Sequence, residues 1–377
     1  MTVYFDNNAT APLRDKAKAA MLLAFDAVGN PSSVHAAGRA AKSAMETARG
    51  QLAKHLGCLT NEIIFTSGGT ESNNLAITNA MNSQNCASIL VGASEHPSIL
   101  LPAQQSGIAA LFVPVLPDGL LDIPALREII SQQDGPFLLA IMQANNETGV
   151  VQDLAPIAEL VHAAGGFLHV DAAQAFGKIP VDFAKSGADS MTVVAHKIGG
   201  PGGIGALVVR SGLAVSAQML GGGQENNRRA GTSNVPAICG FSAAADEACA
   251  DLEIFAKLAV KRDRLADLLR QNAPQLQVFG QSSHRLPNTL CCAAPGFAAE
   301  TQVMALDLAG FAISSGSACG SGKVKPSHVL TAMGIGDELS RCAIRISLGW
   351  LTTDDEIEQF ADAWGEAYRR AVSREVA

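Results

Sequence analysis

The sequence predicts an α/β protein, with a large domain on a mostly parallel sheet and a smaller α+β domain beside it. Three observations predict it. Short β-branched or apolar runs alternate with longer helical patterns through the first two thirds of the chain. Near residue 237 the alternation gives way to a helix-like region with few turn signals, and the strands beyond it are shorter. Finally, 377 residues suffice for one large domain and a lesser one, and 48% apolar against 16% charged residues is the balance of a well-buried globular chain.

Taken in order, strands are expected over residues 62–66, 88–92, 110–115, 137–142, 166–171, 190–195 and 204–209, with helices such as 123–132 and 154–164 between them. The last two strands are joined only by residues 196–203, too few for a helical crossover, so that pair is expected to be antiparallel. Residues 237–272 read as one long connecting helix. Strands over 289–293 and 343–348 and helices over 300–308 and 354–369 complete the chain. The large domain is therefore assigned to residues 14–255. The small one takes residues 1–13 and 256–377.

Composition excludes several function classes. A net charge of -8 with no Lys/Arg block argues against a nucleic-acid partner. No apolar run reaches membrane-spanning length, and the opening residues lack a basic, then apolar, leader, so a soluble cytoplasmic protein is expected. None of the eight cysteines forms a Cys-x-x-Cys pair, so no metal site is expected and reduced thiols are the default. Cys239, Cys249 and Cys342 lie in Ala/Ile/Gly-rich contexts and read as core residues.

Cys319 differs. It sits inside Ser314-Ser315-Gly316-Ser317-Ala318-Cys319-Gly320-Ser321-Gly322, where no neighbour is large enough to bury it. The glycines predict a loop able to carry a reactive thiol from one place to another, although a surface turn with an incidental cysteine would read the same way.

The balance tips upstream. In open α/β sheets ligands gather at the carboxyl ends of strands. Asp171 closes one apolar run, and His196-Lys197 follows the next. Pyridoxal phosphate needs such a pair: a lysine for covalent attachment and a carboxylate that keeps the ring nitrogen protonated. Gln174 stands within reach of the phenolic oxygen. Taken singly, Asp171 reads equally as a helix cap and Lys197 as a solvated loop residue. Together, before Gly199-Gly200-Pro201-Gly202-Gly203, they point to the cofactor.

Other segments fit around that pair. Ser67-Gly68-Gly69-Thr70 lies between a strand and a helix, as a phosphate cradle or an ordinary cap would. His96 follows the strand over 88–92 and offers a stacking, proton-shuttling imidazole, or a plain loop histidine. Asn146 lies in the polar run Ala144-Asn145-Asn146-Glu147-Thr148-Gly149, which serves a ring, a carboxylate or a turn. Arg345 is a charge in an apolar strand and needs a partner, either a substrate carboxylate or an internal acid.

These segments together resemble the NifS/IscS-type cysteine desulfurases. The likeness runs over almost the whole chain, through Phe5-Asp6-Asn7-Asn8-Ala9-Thr10, Gly29-Asn30-Pro31-Ser32-Ser33, Thr66-Ser67-Gly68-Gly69-Thr70-Glu71-Ser72, Glu95-His96-Pro97, His169-Val170-Asp171-Ala172-Ala173-Gln174, Arg228-Arg229-Ala230-Gly231-Thr232 and the Cys319 loop. The loop looks like that of the long-loop subgroup. The resemblance implies the type I, aspartate aminotransferase-like fold, a homodimer, and conversion of L-cysteine to L-alanine with a persulfide on Cys319. That sulfur would pass to a protein acceptor such as an iron–sulfur scaffold. It further implies that Lys197 attaches the cofactor, Asp171 and Gln174 contact its ring and His96 stacks on it. Gly69, Thr70 and His196 would hold its phosphate with Thr232 of the other subunit, and Asn146 and Arg345 would bind the substrate carboxylate.

The chain departs from the family pattern in places. Val194 stands where a phosphate-binding serine is usual, and Gly320 replaces the usual threonine after the cysteine. The sequence stops at residue 377, without the tail that IscS-type members present to their scaffold.

Overall fold

Seven strands form the large sheet in a computed structural model that describes residues 2–316 and 326–375. Across the sheet they run Ile63–Thr66, Gly205–Val209, Ser190–Val194, Phe167–Asp171, Phe137–Met142, Ser88–Gly92 and Ala109–Val113. Gly205–Val209 is antiparallel to both neighbours and all other pairs are parallel, so the tight 195–204 connection behaves as its length dictates. The central strands are buried on both faces, which is why their sequences are continuous apolar runs rather than alternations. The Ala109–Val113 strand ends before Pro114, which has no N–H to extend a ladder.

The helices carry local signals. Ile123–Ser131 begins at Asp122, whose side chain accepts from the Ala125 N–H, and Pro124 lies in its first turn. Ala36–Leu56 ends at Gly57, whose φ of 65 closes the helix in a conformation other residues resist.

The expected single helix over 237–272 is instead three: Val235–Ala250, Leu252–Ala256 and Leu258–Asn272. The chain bends at Asp251, where Arg14 Nη1 meets the carboxylate at 2.7 Å. Ala244, Ala245 and Ala248 before the bend pack into the core around the large sheet. Phe255, Leu258 and Leu265 after it pack into a second core with Phe5, Ile344 and Trp364. One straight helix could not face both.

The second core lies under a four-stranded antiparallel sheet ordered Ser314–Ser315, Ala343–Ser347, Thr289–Ala293, Gln277–Val278. Val3–Tyr4 pairs in parallel with Phe311–Ala312, and Asn8 N donates to Ser347 Oγ, which ties the start of the chain to this sheet. Cys342 is buried as expected, but Cys239 and Cys249 are only half-buried on the Val235–Ala250 helix. Among the described residues no helix is long and apolar enough to cross a membrane.

Candidate active site

A cavity of ≈620 Å³ opens at the carboxyl ends of the parallel strands, within the size range of small-ligand sites. Five of the strands deliver groups to it as their apolar runs stop. Thr66 leads to Gly69 and Thr70, Gly92 leads to His96, and Met142 leads to Asn146. Asp171 ends its own strand and leads to Gln174, and Val194 leads to His196 and Lys197. Arg345 reaches the same cavity from the smaller sheet.

Asp171 is held on both oxygens. Oδ1 accepts from the Ala173 N–H at 2.9 Å and Oδ2 from Asn73 Nδ2 at 2.8 Å. Thus the cap reading and the ring-nitrogen reading are compatible: Asp171 caps its own turn while lining the cavity. Asn73 Oδ1 in turn accepts from His169 Nε2 at 3.1 Å, and His169 Nδ1 faces Ser190 Oγ at 2.8 Å. Burial pushes the His169 pKa down to about 4, so a neutral imidazole backs the aspartate. Asn73 also donates to Ser98 Oγ at 2.8 Å.

Ser98 positions His96. Its backbone N–H donates to His96 Nδ1 at 3.1 Å and its hydroxyl lies 2.8 Å from the same nitrogen. Nδ1 is therefore an acceptor, and the neutral ring carries its proton on Nε2. Loss of solvent around the ring lowers its pKa below the usual histidine value, with Asp171 opposing that shift. The geometry holds Nδ1 as an acceptor and leaves Nε2–H as the ring's donor.

Lys197 donates to the carbonyls of Asn8 and Ala9, the latter at 2.8 Å. Asn8, buried in the N-terminal segment, therefore touches the very lysine that sequence reasoning selected. Lys178 lies behind it, 3% exposed, donating to Asn8 Oδ1 at 2.8 Å and Gln174 Oε1 at 2.6 Å. Burial drives the Lys178 pKa well below the lysine value, and Lys197 and Arg345 add to the effect. His196 is pushed down to about 4, first by burial and then by Lys197 and Lys178.

The Gly69–Asn82 helix opens into the cavity without a side-chain cap. Its first-turn N–H groups and positive dipole end suit an anion. Gly68 adopts φ 152 and ψ -175, a region reserved for glycine. A Cβ on Gly69 would lie only 3.0 Å from Val194 Cγ1, so the departure at residue 194 packs directly against this turn. Thr232 does not join the cavity. It is exposed and lines a separate space of ≈110 Å³ with Ser67 and Arg229.

Arg345 has an internal acid as one partner. Nη2 donates to Asp6 Oδ1 at 2.7 Å and Ser314 Oγ at 3.1 Å, and Nη1 to the Asn146 carbonyl at 3.1 Å. Its Nε is buried without a hydrogen-bond partner. An arginine that is 2% exposed, on a cavity wall and with an unmet donor, retains capacity for an incoming carboxylate.

Cys319 and Gly320 lie outside the described residues. Sequence reasoning missed Asn8, Asn73 and Lys178. The polar run Ser72-Asn73-Asn74 and the lysine four residues beyond Gln174 were the available signals.

A lysine and a carboxylate at neighbouring strand ends, beside an uncapped helix start, define a pyridoxal phosphate enzyme of fold type I. The chain belongs to the class-V aminotransferase family, whose model matches residues 3–360. It is 40% identical over 367 residues to a cysteine desulfurase of Cereibacter sphaeroides, covering 96% of this chain and 94% of that one. The structure of a NifS-like protein from Rickettsia africae superposes with a TM-score of 0.89 at 35% identity, covering 98% of this chain and all of that one. SspA in complex with cysteine superposes with a TM-score of 0.79 at 29% identity, covering 92% and 99%. Pyridoxal phosphate is the family's cofactor, and the donor set fits it: Lys197 for attachment, Asp171 for the ring nitrogen and the Gly69–Asn82 start for the phosphate.

Proposed function

We propose that this protein is a pyridoxal phosphate-dependent cysteine desulfurase that turns L-cysteine into L-alanine and carries the sulfur as a persulfide on Cys319. The convergence of Lys197, Asp171 and His96 on one cavity, in a chain so similar to cysteine desulfurases, carries the reading. When bound, the cofactor supplies a sink for the electron pair left at the substrate α-carbon.

This chain's residues do the rest. Asp171, fixed by Asn73 and the Ala173 N–H, keeps a proton on the ring nitrogen. Gln174 and His96 hold the ring, and Gly69, Thr70 and His196 bind the phosphate. Arg345, beside Asn146, binds the substrate carboxylate and so orients the α-carbon. Lys197 leaves its contacts with Asn8 and Ala9 to take the α-proton. The Cys319 thiolate attacks the substrate sulfur: the new S–S bond forms as the C–S bond breaks, and the bonding pair stays with carbon. A proton then completes alanine.

Thr232, remote from the cavity of its own chain, supports a homodimer in which each subunit lends this hydroxyl to its partner's phosphate site. The passage from one core to the other at Asp251 supports the division near residue 255. The sulfur is passed to a protein acceptor, such as an iron–sulfur scaffold.

Alanine released from L-cysteine with a thiol reductant, compared between wild type and Cys319→Ala, tests the reading. Release by wild type and almost none by Cys319→Ala is expected, with a persulfide found by mass spectrometry on Cys319. Equal release by both would move the enzyme to a lyase that bypasses this thiol. Normal turnover by Lys197→Ala would sink the scheme altogether.

A further inference from the structure

We propose that Lys178 is a positioning residue for the cofactor ring, acting through Gln174. It grips the Gln174 amide oxygen from behind, so that the amide nitrogen is the group turned to the ring oxygen. The inference rests on the pyridoxal phosphate reading of the cavity.

Lys178 follows Gln174 by one helical turn, because Ala175, Phe176 and Lys178 each hydrogen-bond back through successive turns from Ala172 and Ala175. Its Nζ lies 2.6 Å from Gln174 Oε1 and 2.8 Å from Asn8 Oδ1. The Asn8 carbonyl can only accept, so the Gln174 amide nitrogen faces it and Oε1 is left to accept from Lys178 Nζ. That fixes an orientation which an amide alone leaves open. Gln174 Nε2 then spends one hydrogen on the Asn8 carbonyl at 2.9 Å, and its second hydrogen is what the side chain offers to the cavity it lines. A donor is the group that a phenolate oxygen requires. Turned the other way, the amide would present an oxygen and repel it.

The same grip reaches the attachment lysine. Asn8 Oδ1 also accepts from Asn288 Nδ2 at 3.1 Å, and the Asn8 carbonyl accepts from both Gln174 and Lys197. Lys178 thus clamps the residue on which Lys197 rests. The charged groups facing it are Lys197 and Arg345, both positive, and its two hydrogen-bond acceptors are amide oxygens. A buried lysine in such company is costly to keep for packing alone. This cost, together with the geometry, points to a positioning role.

The test is a double-mutant cycle read by cofactor spectroscopy on the full chain. Pyridoxal phosphate is titrated into wild type, Lys178→Met, Gln174→Ala and the double variant. The visible band of attached cofactor, identified by its loss in Lys197→Ala, is followed against pH. Each single variant should raise the band's pH midpoint by about one unit, the scale of one lost hydrogen bond to a charged oxygen. The double variant should move it no further.

An unmoved midpoint in Lys178→Met, or shifts that add in the double variant, overturns the proposal while leaving the cofactor reading intact. Absence of any Lys197-dependent band in wild type overturns both. Gln174→Glu makes the comparison without emptying the buried position, since its carboxylate keeps Lys178 and removes the donor. It should share the raised midpoint, although it trades the bond to the Asn8 carbonyl for an ion pair with Lys178. A lower melting temperature with an unmoved midpoint would assign Lys178 a purely structural part.

Discussion

Asn73 Nδ2 lies 2.8 Å from Asp171 Oδ2 and 2.8 Å from Ser98 Oγ, so one amide joins the cavity's carboxylate to the hydroxyl beside His96. Replacing it should loosen both. Asn73→Ala is expected to weaken pyridoxal phosphate retention by about 1 kcal/mol, roughly fivefold, through the lost bond to Asp171. Equilibrium dialysis of the cofactor measures this, and an unchanged dissociation constant would show that the network does not support Asp171.

Val194 packs against the turn that begins the Gly69–Asn82 helix. Val194→Ser introduces a hydroxyl at that place and removes a methyl wall. Cofactor retention should improve by about 1 kcal/mol, the worth of one added hydrogen bond. The same dialysis, or the rate at which cofactor leaves a desalted protein, reads the gain. Faster loss from the serine variant would mean that valine packing matters more than the hydroxyl.

Glu147 is buried with its carboxyl accepting from Ser327 Oγ, and burial raises its pKa from 4.5 to about 7. The folded chain therefore holds a proton that the unfolded chain has already released, and this group's contribution to stability falls as pH rises from about 4.5 towards 7. Glu147→Gln removes that titration. Relative to wild type it should gain about 3 kcal/mol between the acid and the neutral end of the window. Denaturant unfolding at several pH values reads it. Parallel stability curves for the two proteins would contradict the assignment.

Cys58 and Cys292 are pushed up to about 12, and Cys86 and Cys249 to about 11, in each case chiefly by burial. These thiols stay protonated near neutral pH and react slowly. Brief iodoacetamide treatment of the native protein should therefore label Cys319 first, with peptide mass mapping as the readout. Preferential labelling of Cys58 or Cys249 would remove the argument that the small-residue loop holds the reactive thiol.

Much of the site was legible because its chemistry stands where apolar runs stop. Asp171, Lys197 and His96 each follow a strand whose composition marks its end, and the parallel sheet brings those ends together. Local signals also set most of the element boundaries. What stayed hidden depends on distant partners. The bend at Asp251 answers to Arg14, 237 residues earlier, and no local turn residue announces it. Asn8 and Lys178 meet only in the fold, which buries them against each other 170 residues apart. Arg345 shows the converse. Its need for a partner was plain from the strand, but only the fold reveals that Asp6 meets part of it.

The anchoring of Asn8 has a consequence for how the protein is made. Its backbone N–H is satisfied by Ser347 and its side chain by Thr289 and Asn288, residues 280 to 339 positions later. At ordinary rates of about 5–20 residues per second, a ribosome needs roughly 15–70 s to supply them. During that time the large sheet has the means to form, but the platform beneath Lys197 does not. A nascent chain therefore passes through a stage with strands in place and no competent cofactor site, completed only when the last strand of the smaller sheet closes over its opening residues.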